Sequence, residues 1–423
     1  MCGQLGVMLL ARYFFQWMIK FCSQSKTIEG GEPLVLLSAA TVGLVLLGFR
    51  VFDGVTDPVA GSLSDGWVRR GRERREILWY TAPLPALGLI LCFMPDFAQA
   101  ENTRWFFCIA GMFLFFVGYT LYAIPYWSLV GDYARGDDER RGKLSNLLGL
   151  GLLIATAVGF LVTPKIIELY GYLRGSIYTA LVSIPLMIAP YFASPSTIIK
   201  ETATLDPQSQ RSWKDELSDL LTALKSRRFA STICLFAGSQ MSFTVMTAAA
   251  PFIAKDLLNG TEGDVAKILG PLLGVALPAT LLVPWFSRRL GWERAIAVSC
   301  FALAVVYLGS AGLGEAIVGT PLVTASVLFA LGGPMIAALL GLEGEAITAC
   351  AAENQGGVGM YFGAYNLVVK GCNGIAIAIV GMLATRTTGE AGPFYVKLMG
   401  ISAGGMLLLG LIGYWLLKPR VTG

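Results

Sequence analysis

Not one histidine occurs in the 423 residues of this chain. That excludes a histidine proton relay and any histidine-ligated metal, so proton chemistry would fall to carboxylates. Charge is scarce as well: 14% of residues are Asp, Glu, Lys or Arg, where a soluble chain carries roughly 25%. The eight cysteines are scattered along the chain with no CxxC pair, which excludes a disulfide framework and a zinc site. No nucleophile–base constellation or metal-ligand cluster stands out, so neither an enzyme nor a bound cofactor is expected. The formal net charge of +4 carries no nucleic-acid signal, because the basic residues fall in short loops between apolar runs.

What the chain has in abundance is apolar sequence, 55% hydrophobic residues with a mean hydropathy of +0.64. It comes in runs near the ~20 residues that span a bilayer's ~30 Å of hydrocarbon. Twelve membrane helices are expected, at 3–21, 34–62, 77–95, 105–130, 144–170, 174–194, 229–254, 265–286, 294–313, 320–342, 358–385 and 393–417. The first lacks a basic leader and a small-residue cleavage site, so it reads as a span rather than a signal peptide. The polar segment 195–228 is the longest. Its second part, SWKDELSDLLTALKSRR, places Leu217, Leu220, Leu221 and Leu224 at the spacing of an amphipathic surface helix. The expected architecture is therefore an all-α membrane protein of two six-helix halves, 1–194 and 229–423, joined by a linker at 195–228.

Lys and Arg concentrate in the loops after the even-numbered helices and in the tail. By the positive-inside rule both termini face the cytoplasm, in a multi-pass protein of the plasma (inner) membrane. GSLSDGWVRRGRERR follows helix 2, and the shorter VPWFSRRLGWERA follows helix 8, six helices later. A basic turn repeated in each half is what an internally duplicated transporter would show, with its substrate site near the midplane between the halves.

The informative residues are charges inside the spans. Arg50, Asp53 and Asp57 sit at i, i+3 and i+7, one stripe of helix 2. Carboxylates in hydrocarbon are costly and normally face a cavity or a partner, and two of them one turn apart invite a cation. Helix 2 is expected to end near Pro58 and Gly61, ahead of Asp65 and a cluster of five arginines. On helix 1, Arg12, Gln16 and Lys20 repeat every four residues and form one polar stripe; the alternative is a ragged first helix whose Lys20 reaches the interface. Lys370 lies within apolar helix 11 and needs a carboxylate partner.

Structural readings compete with each of these. Asp53 with Arg50 could be an intrahelical pair, and Lys370 could snorkel. Trp127 could belong to an interfacial belt. Asp65 and its arginines suit a structural or gating latch better than a binding site. Glu343, Glu345 and Glu353, at the end of helix 10, read as a solvated turn. Tyr119 and Tyr122 read as packing residues, and the glycines of 356–363 and 371–381 as close-packing positions.

The segment Gly61 to Arg75 resembles the loop after helix 2 of the major facilitator superfamily. More narrowly, RVFDGVTDP, YTLYAIPYWSLV and NLVVKG on helices 2, 4 and 11 resemble the glycoside–pentoside–hexuronide:cation symporters, the family of the melibiose permease. That resemblance implies cation-coupled symport of a sugar or glycoside by alternating access, with a small solute and the bilayer as the only partners and a monomer as the working unit. It implies a cation site for H+ or Na+ at Asp53, Asp57 and Thr120, with Lys370 and Arg50 as charge partners. By the same resemblance Trp127 would stack on sugar; Arg12, Gln16, Tyr119 and Asn366 are the further candidate substrate contacts, read from this chain's own residues. Gly61, Asp65, Arg69 and Arg72 would form the gating loop.

Three positions depart from the family pattern. Ala123 stands where an acid or amide usually precedes the Ile-Pro of helix 4, which weakens the case for sodium and favours a proton shared between the two aspartates. The arginine expected early on helix 5 is missing from LSNLLGLGLL, where Asn146 is the nearest polar group. Helix 1 offers Arg12 and Gln16 in place of an acid. With Arg12, Arg50 and Lys370 supplying positive charge, an anionic solute such as a uronide or another carboxylate, or an amphiphile, is an alternative cargo. A receptor or scaffold that kept the fold without transport is the alternative outside that class.

Overall fold

The computed structural model describes residues 1–27, 33–97, 100–134, 138–193, 224–353 and 358–418. The helices run α1 (Cys2–Cys22), α2 (Ala39–Arg69), α3 (Arg74–Thr81), α4 (Pro83–Cys92), α5 (Glu101–Ala134), α6 (Asp138–Leu161) and α7 (Thr163–Ala193). They continue with α8 (Arg227–Phe252), α9 (Asp264–Ala279), α10 (Val283–Leu290), α11 (Trp292–Leu308), α12 (Pro321–Glu353), α13 (Val358–Ala384) and α14 (Gly392–Leu417). Two three-residue strands, β1 (Ser25–Thr27) and β2 (Pro33–Val35), pair antiparallel between α1 and α2 with Lys26 opposite Leu34. The expected all-α membrane architecture is what forms. The surface-helix segment 212–223, and with it most of the expected linker, lies outside the described residues.

Ten stretches among the described residues are long and apolar enough to cross a membrane. The other two expected spans are shorter pieces. Leu147–Leu161 of α6 is apolar but short, and the span expected at 77–95 is α3 and α4, which meet at Ala82 where Pro83 opens the second helix. The boundary expected near 170 is present as a kink inside α7: Gly171 sits at φ 78°, which breaks the helix into two segments. That backbone conformation costs a residue with a Cβ but not glycine.

Two expected boundaries move. Helix 2 was expected to end at 62, yet α2 continues to Arg69 with Pro58 inside it, because neighbouring groups in a bundle can satisfy the backbone that a proline frees. Helix 10 was expected to end at 342, and α12 runs on to Glu353.

The chain divides into two compact units. One comprises Met1–Ser38 and Phe52–Gln210, the other Ala39–Val51 and Arg211–Gly423. The first half of α2 thus counts with the second unit and its later half with the first.

In the first unit α4 and α5 approach to backbone contact. A Cβ on Gly88 would lie 2.3 Å from the Phe115 nitrogen, so only glycine permits this spacing. Around α1 the interior is aromatic, with Phe14 stacked on Phe115 at 4.4 Å and Trp17 donating to Thr163 Oγ1 at 3.1 Å. In the second unit α8 lies along α13, with Phe229 against Tyr361 at 4.6 Å and Phe236 against Tyr365 at 5.8 Å. Much of the exposed surface of the spans is itself apolar, Leu281, Leu409 and Trp415 among it, as lipid-facing positions are.

Both basic turns bend at a left-handed glycine, Gly71 at φ 75° and Gly291 at φ 76°. Each is organised by one side chain. In the first turn Arg74 donates to Asp65 at 2.8 Å, Asp132 at 2.9 Å and Ser64 at 2.6 Å. In the second, Glu293 receives Arg228 at 2.8 Å and Lys418 at 3.6 Å. The Tyr414 hydroxyl, and then Glu293, hold the Lys418 ammonium above its ordinary pKa.

Candidate cation and solute site

Asp53 is 0% exposed on α2. Its Oδ1 accepts a 2.6 Å hydrogen bond from Thr120 Oγ1 on α5. Two residues 67 apart in sequence are thereby joined inside the first unit, in the interior of two apolar helices. A hydroxyl donating to a carboxylate at that distance makes a short, strong hydrogen bond. Asp57, one turn further along α2, is half-buried. The Thr56 hydroxyl between them turns back to the carbonyls of Phe52 and Asp53 at 3.0 and 3.2 Å, so it is spent on its own helix.

Arg50 falls on the portion of α2 that belongs to the second unit, where its Cβ would meet a Cβ added at Gly374 of α13 at 3.0 Å. Lys370 is half-buried and Asn366 exposed on α13, in that same unit.

The polar stripe of α1 is longer than expected, because Gln4 extends it. Trp127 Nε1 donates to Gln4 Oε1 at 2.7 Å, so this half-buried indole is held by a buried amide on a neighbouring helix. Thr120 and Trp127 are seven residues apart, on one face of α5 and separated by about 10 Å of rise. Two turns along α1 from Gln4, Arg12 Nε donates to Thr156 Oγ1 of α6 at 3.1 Å. Gly159 makes that approach possible, since a Cβ there would lie 2.8 Å from the Arg12 Cβ.

Gln16 is 2% exposed, and neither Nε2 nor Oε1 has a hydrogen-bond partner among the described residues. A buried amide with both atoms open is suited to a water or a ligand. Lys20, in the last turn of α1, is 5% exposed. Tyr119 is half-buried and stacks on Phe115 at 6.2 Å, and the Tyr122 hydroxyl donates to the Met187 carbonyl. Ala123 is fully buried.

The gating residues are placed differently from the sequence reading. Gly61 lies within α2 with only Ile124 near its side, and Asp65 sits in the last helical turns rather than in a loop. Arg69 and Arg72 are exposed, Arg72 over the Trp67 ring at 4.5 Å. The hub is Arg74, which ties α2, α3 and α5 together through Asp65 and Asp132. Asp132 was invisible to motif reading because it lies 58 residues from Arg74. Gln4 and Thr156 were missed as partners for the same reason.

The reading of Glu343 as part of a solvated turn is also corrected. It lies inside α12 and accepts from Gln240 Nε2 of α8 at 3.1 Å. The Glu353 side chain lies outside the described residues.

The described residues thus form a polytopic helical protein in two units, with a hydroxyl-bonded acid in the interior of its spans. Solved structures agree on the fold. The nucleoside transporter NupG superimposes with a TM-score of 0.60 at 16% identity, covering 98% of this chain and 100% of that one. A POT family transporter in complex with 5-aminolevulinic acid gives 0.65 at 13% identity, covering 99% and 96%.

The chain belongs to the MFS/sugar transport protein family, whose model matches residues 8–413. Among curated relatives, the Escherichia coli (strain K12) protein YagG, described as a glycoside/cation symporter, is 28% identical over 192 residues, covering 44% of this chain and 40% of the relative. The glucuronide carrier protein homolog of the same organism is 24% identical over 286 residues, covering 64% and 59%. The chain thus aligns with less than two thirds of the length of either relative.

Proposed function

We propose that this transporter carries a sugar or glycoside in symport with a cation, H+ or Na+, by alternating access. The observation that supports it most is the buried Asp53 carboxylate bonded to Thr120 at 2.6 Å. A cation reaching Asp53 and Asp57 cancels charge that is otherwise costly in a low-dielectric interior. Loaded and unloaded forms then differ in which conformations they tolerate, and that differential is what a coupling ion needs in order to shift a transporter between states. In this mechanism Lys370 is the counter-charge released when the cation arrives, and Trp127 with Gln4, Arg12 and Gln16 bind the solute.

The oxygen set that supports the cation reading is two carboxylates and a hydroxyl. With Ala123 supplying no ligand, that set is sparse for sodium, which wants several oxygens, and it suits a proton. The reading includes a plasma-membrane location with cytoplasmic termini. The test is uptake of a panel of radiolabelled methyl hexosides into proteoliposomes under an imposed sodium or proton gradient. One gradient is expected to drive accumulation above equilibrium, and accumulation under neither rules the reading out.

One observation favours an acidic cargo as the second reading. Arg12, Gln16 and Lys20 share a stripe on which Gln16 and Lys20 are buried, and a curated relative is named as a glucuronide carrier homolog. Competition separates the two: excess methyl glucuronide suppresses uptake if the cargo is acidic, and neutral methyl glucoside does so if it is not.

A further inference from the structure

The mechanism leaves an acid on a membrane span of the second unit unused. Glu343 is on α12, and its carboxylate accepts from Gln240 Nε2 at 3.1 Å. Its partner Gln240 lies thirteen residues after Arg227 and twelve before Phe252, roughly 20 Å from either end of α8 at 1.5 Å per residue, and Glu343 lies ten residues before Glu353, roughly 15 Å inside the end of α12.

The surroundings of Glu343 are unusual for a charge at that depth. The Tyr365 hydroxyl of α13 lies beside both Glu343 and Gln240. Tyr365 is 2% exposed, and its hydroxyl makes no hydrogen bond of good geometry to any described residue. No charged side chain among the described residues forms an ion pair with Glu343.

The charges on the elements packed against α12 are engaged elsewhere or sit at helix ends. Asp264 pairs with Lys267 at the start of α9, Glu293 pairs with Arg228 at the start of α11, and Arg288 and Arg289 are exposed at the end of α10. On α13, Lys370 lies five residues beyond Tyr365 and has its own interaction. Glu345, two residues along α12, is exposed and accepts from Ser287.

The chemistry of the partners decides what such a carboxylate does. A lysine or arginine would fix it as an anion, having donors only. An amide and a phenol both donate and accept. Gln240 and Tyr365 therefore satisfy an ionised Glu343 by donating to it. They satisfy a protonated Glu343 by accepting its O–H after an amide flip or a hydroxyl rotation. The open Tyr365 hydroxyl is the group with the freedom to make that change.

We propose that Glu343 is a proton-carrying carboxylate, binding a proton from one side of the membrane and releasing it unchanged to the other during the transport cycle. Nothing is oxidised or reduced, and the only bond made and broken is the carboxyl O–H. This site is separate from Asp53 and Asp57 and stands whether those two take sodium or a proton.

The test needs no solute. Infrared spectra of the full-length protein in liposomes, recorded across a pH titration, are expected to show a carboxylic-acid carbonyl band that comes and goes reversibly and is missing in Glu343→Gln. Spectra identical in wild type and Glu343→Gln overturn the proposal. Tyr365→Phe removes one of the two switching partners without changing charge, so it is expected to move the midpoint of the same band. It also carries the test if Glu343→Gln does not fold. An unmoved midpoint overturns the proposal as well. Because no transport is measured, failure here is distinct from failure of the symport reading.

Discussion

Replacing Thr120 by valine removes one hydroxyl and keeps the shape of the side chain. In the folded protein that hydroxyl donates to Asp53 at 2.6 Å, and Asp53 is 0% exposed, so bulk water does not step in. Hydrogen bonds to charged groups contribute about 1.5–3 kcal/mol net, which corresponds to roughly 10- to 150-fold in an equilibrium constant at 1.4 kcal/mol per decade. If Thr120 is an oxygen ligand for sodium, losing that ligand raises the sodium concentration that half-activates uptake, less whatever is regained because the unloaded Asp53 has lost its donor. Thr120→Ser restores most of it by returning the hydroxyl. If the coupling ion is a proton, sodium dependence is absent in all three proteins, and the pH profile of uptake shifts in Thr120→Val while Thr120→Ser stays close to wild type. The assay is initial-rate uptake into proteoliposomes over a grid of sodium concentration and pH. Activation by both ions unchanged in Thr120→Val would refute the assignment of this hydroxyl to the cation site.

Three further outcomes test other parts of the account. Gly88→Ala forces apart α4 and α5, whose backbones would meet the new Cβ at 2.3 Å. It is expected to cost about 1–3 kcal/mol and to lower the melting temperature of the purified protein, whereas Gly274→Ala, with nothing within 4 Å, stays within about 1 kcal/mol of wild type. In the Arg74 hub, Asp132 is 32% exposed and Asp65 52%. Asp132→Asn should therefore lower thermal stability more than Asp65→Asn, which is worth about 0.2–1 kcal/mol as an exposed pair; the reverse order in a melting experiment would count against the hub. Trp127→Phe keeps an aromatic face but loses the 2.7 Å bond to Gln4, worth about 0.5–1.5 kcal/mol. It is expected to raise the half-saturating solute concentration several-fold at little cost in maximal rate, and a pure loss of rate would exclude Trp127 from solute binding.

Hydropathy made the spans legible because a helix in lipid has to be apolar over its length, whatever it packs against. The ends were less legible. Pro58 and Gly61 look like helix terminators in isolation, yet α2 runs through both to Arg69. Stopping helix 10 at 342 put Glu343 into solvent, when α12 continues for eleven residues and holds that half-buried carboxylate against Gln240.

Of the candidate site, the acid on α2 could be read from its own helix, since charge in an apolar run is conspicuous locally. Its link to Thr120 rested on resemblance, and the structure supplies the bond. The partners that hold the other side chains, Gln4 for Trp127 and Thr156 for Arg12, sit 123 and 144 residues away. Neither is marked by any local pattern, because what pairs them is the packing of α1 against α5 and α6.

The central claim, that the buried acid on α2 couples ion binding to solute movement, is tested most directly with Asp53→Asn in proteoliposomes. Two modes are compared in one preparation: exchange of labelled for unlabelled solute without any gradient, and accumulation driven by the sodium or proton gradient. The account predicts that exchange persists while gradient-driven accumulation collapses to equilibrium. Accumulation as high in Asp53→Asn as in wild type would contradict it.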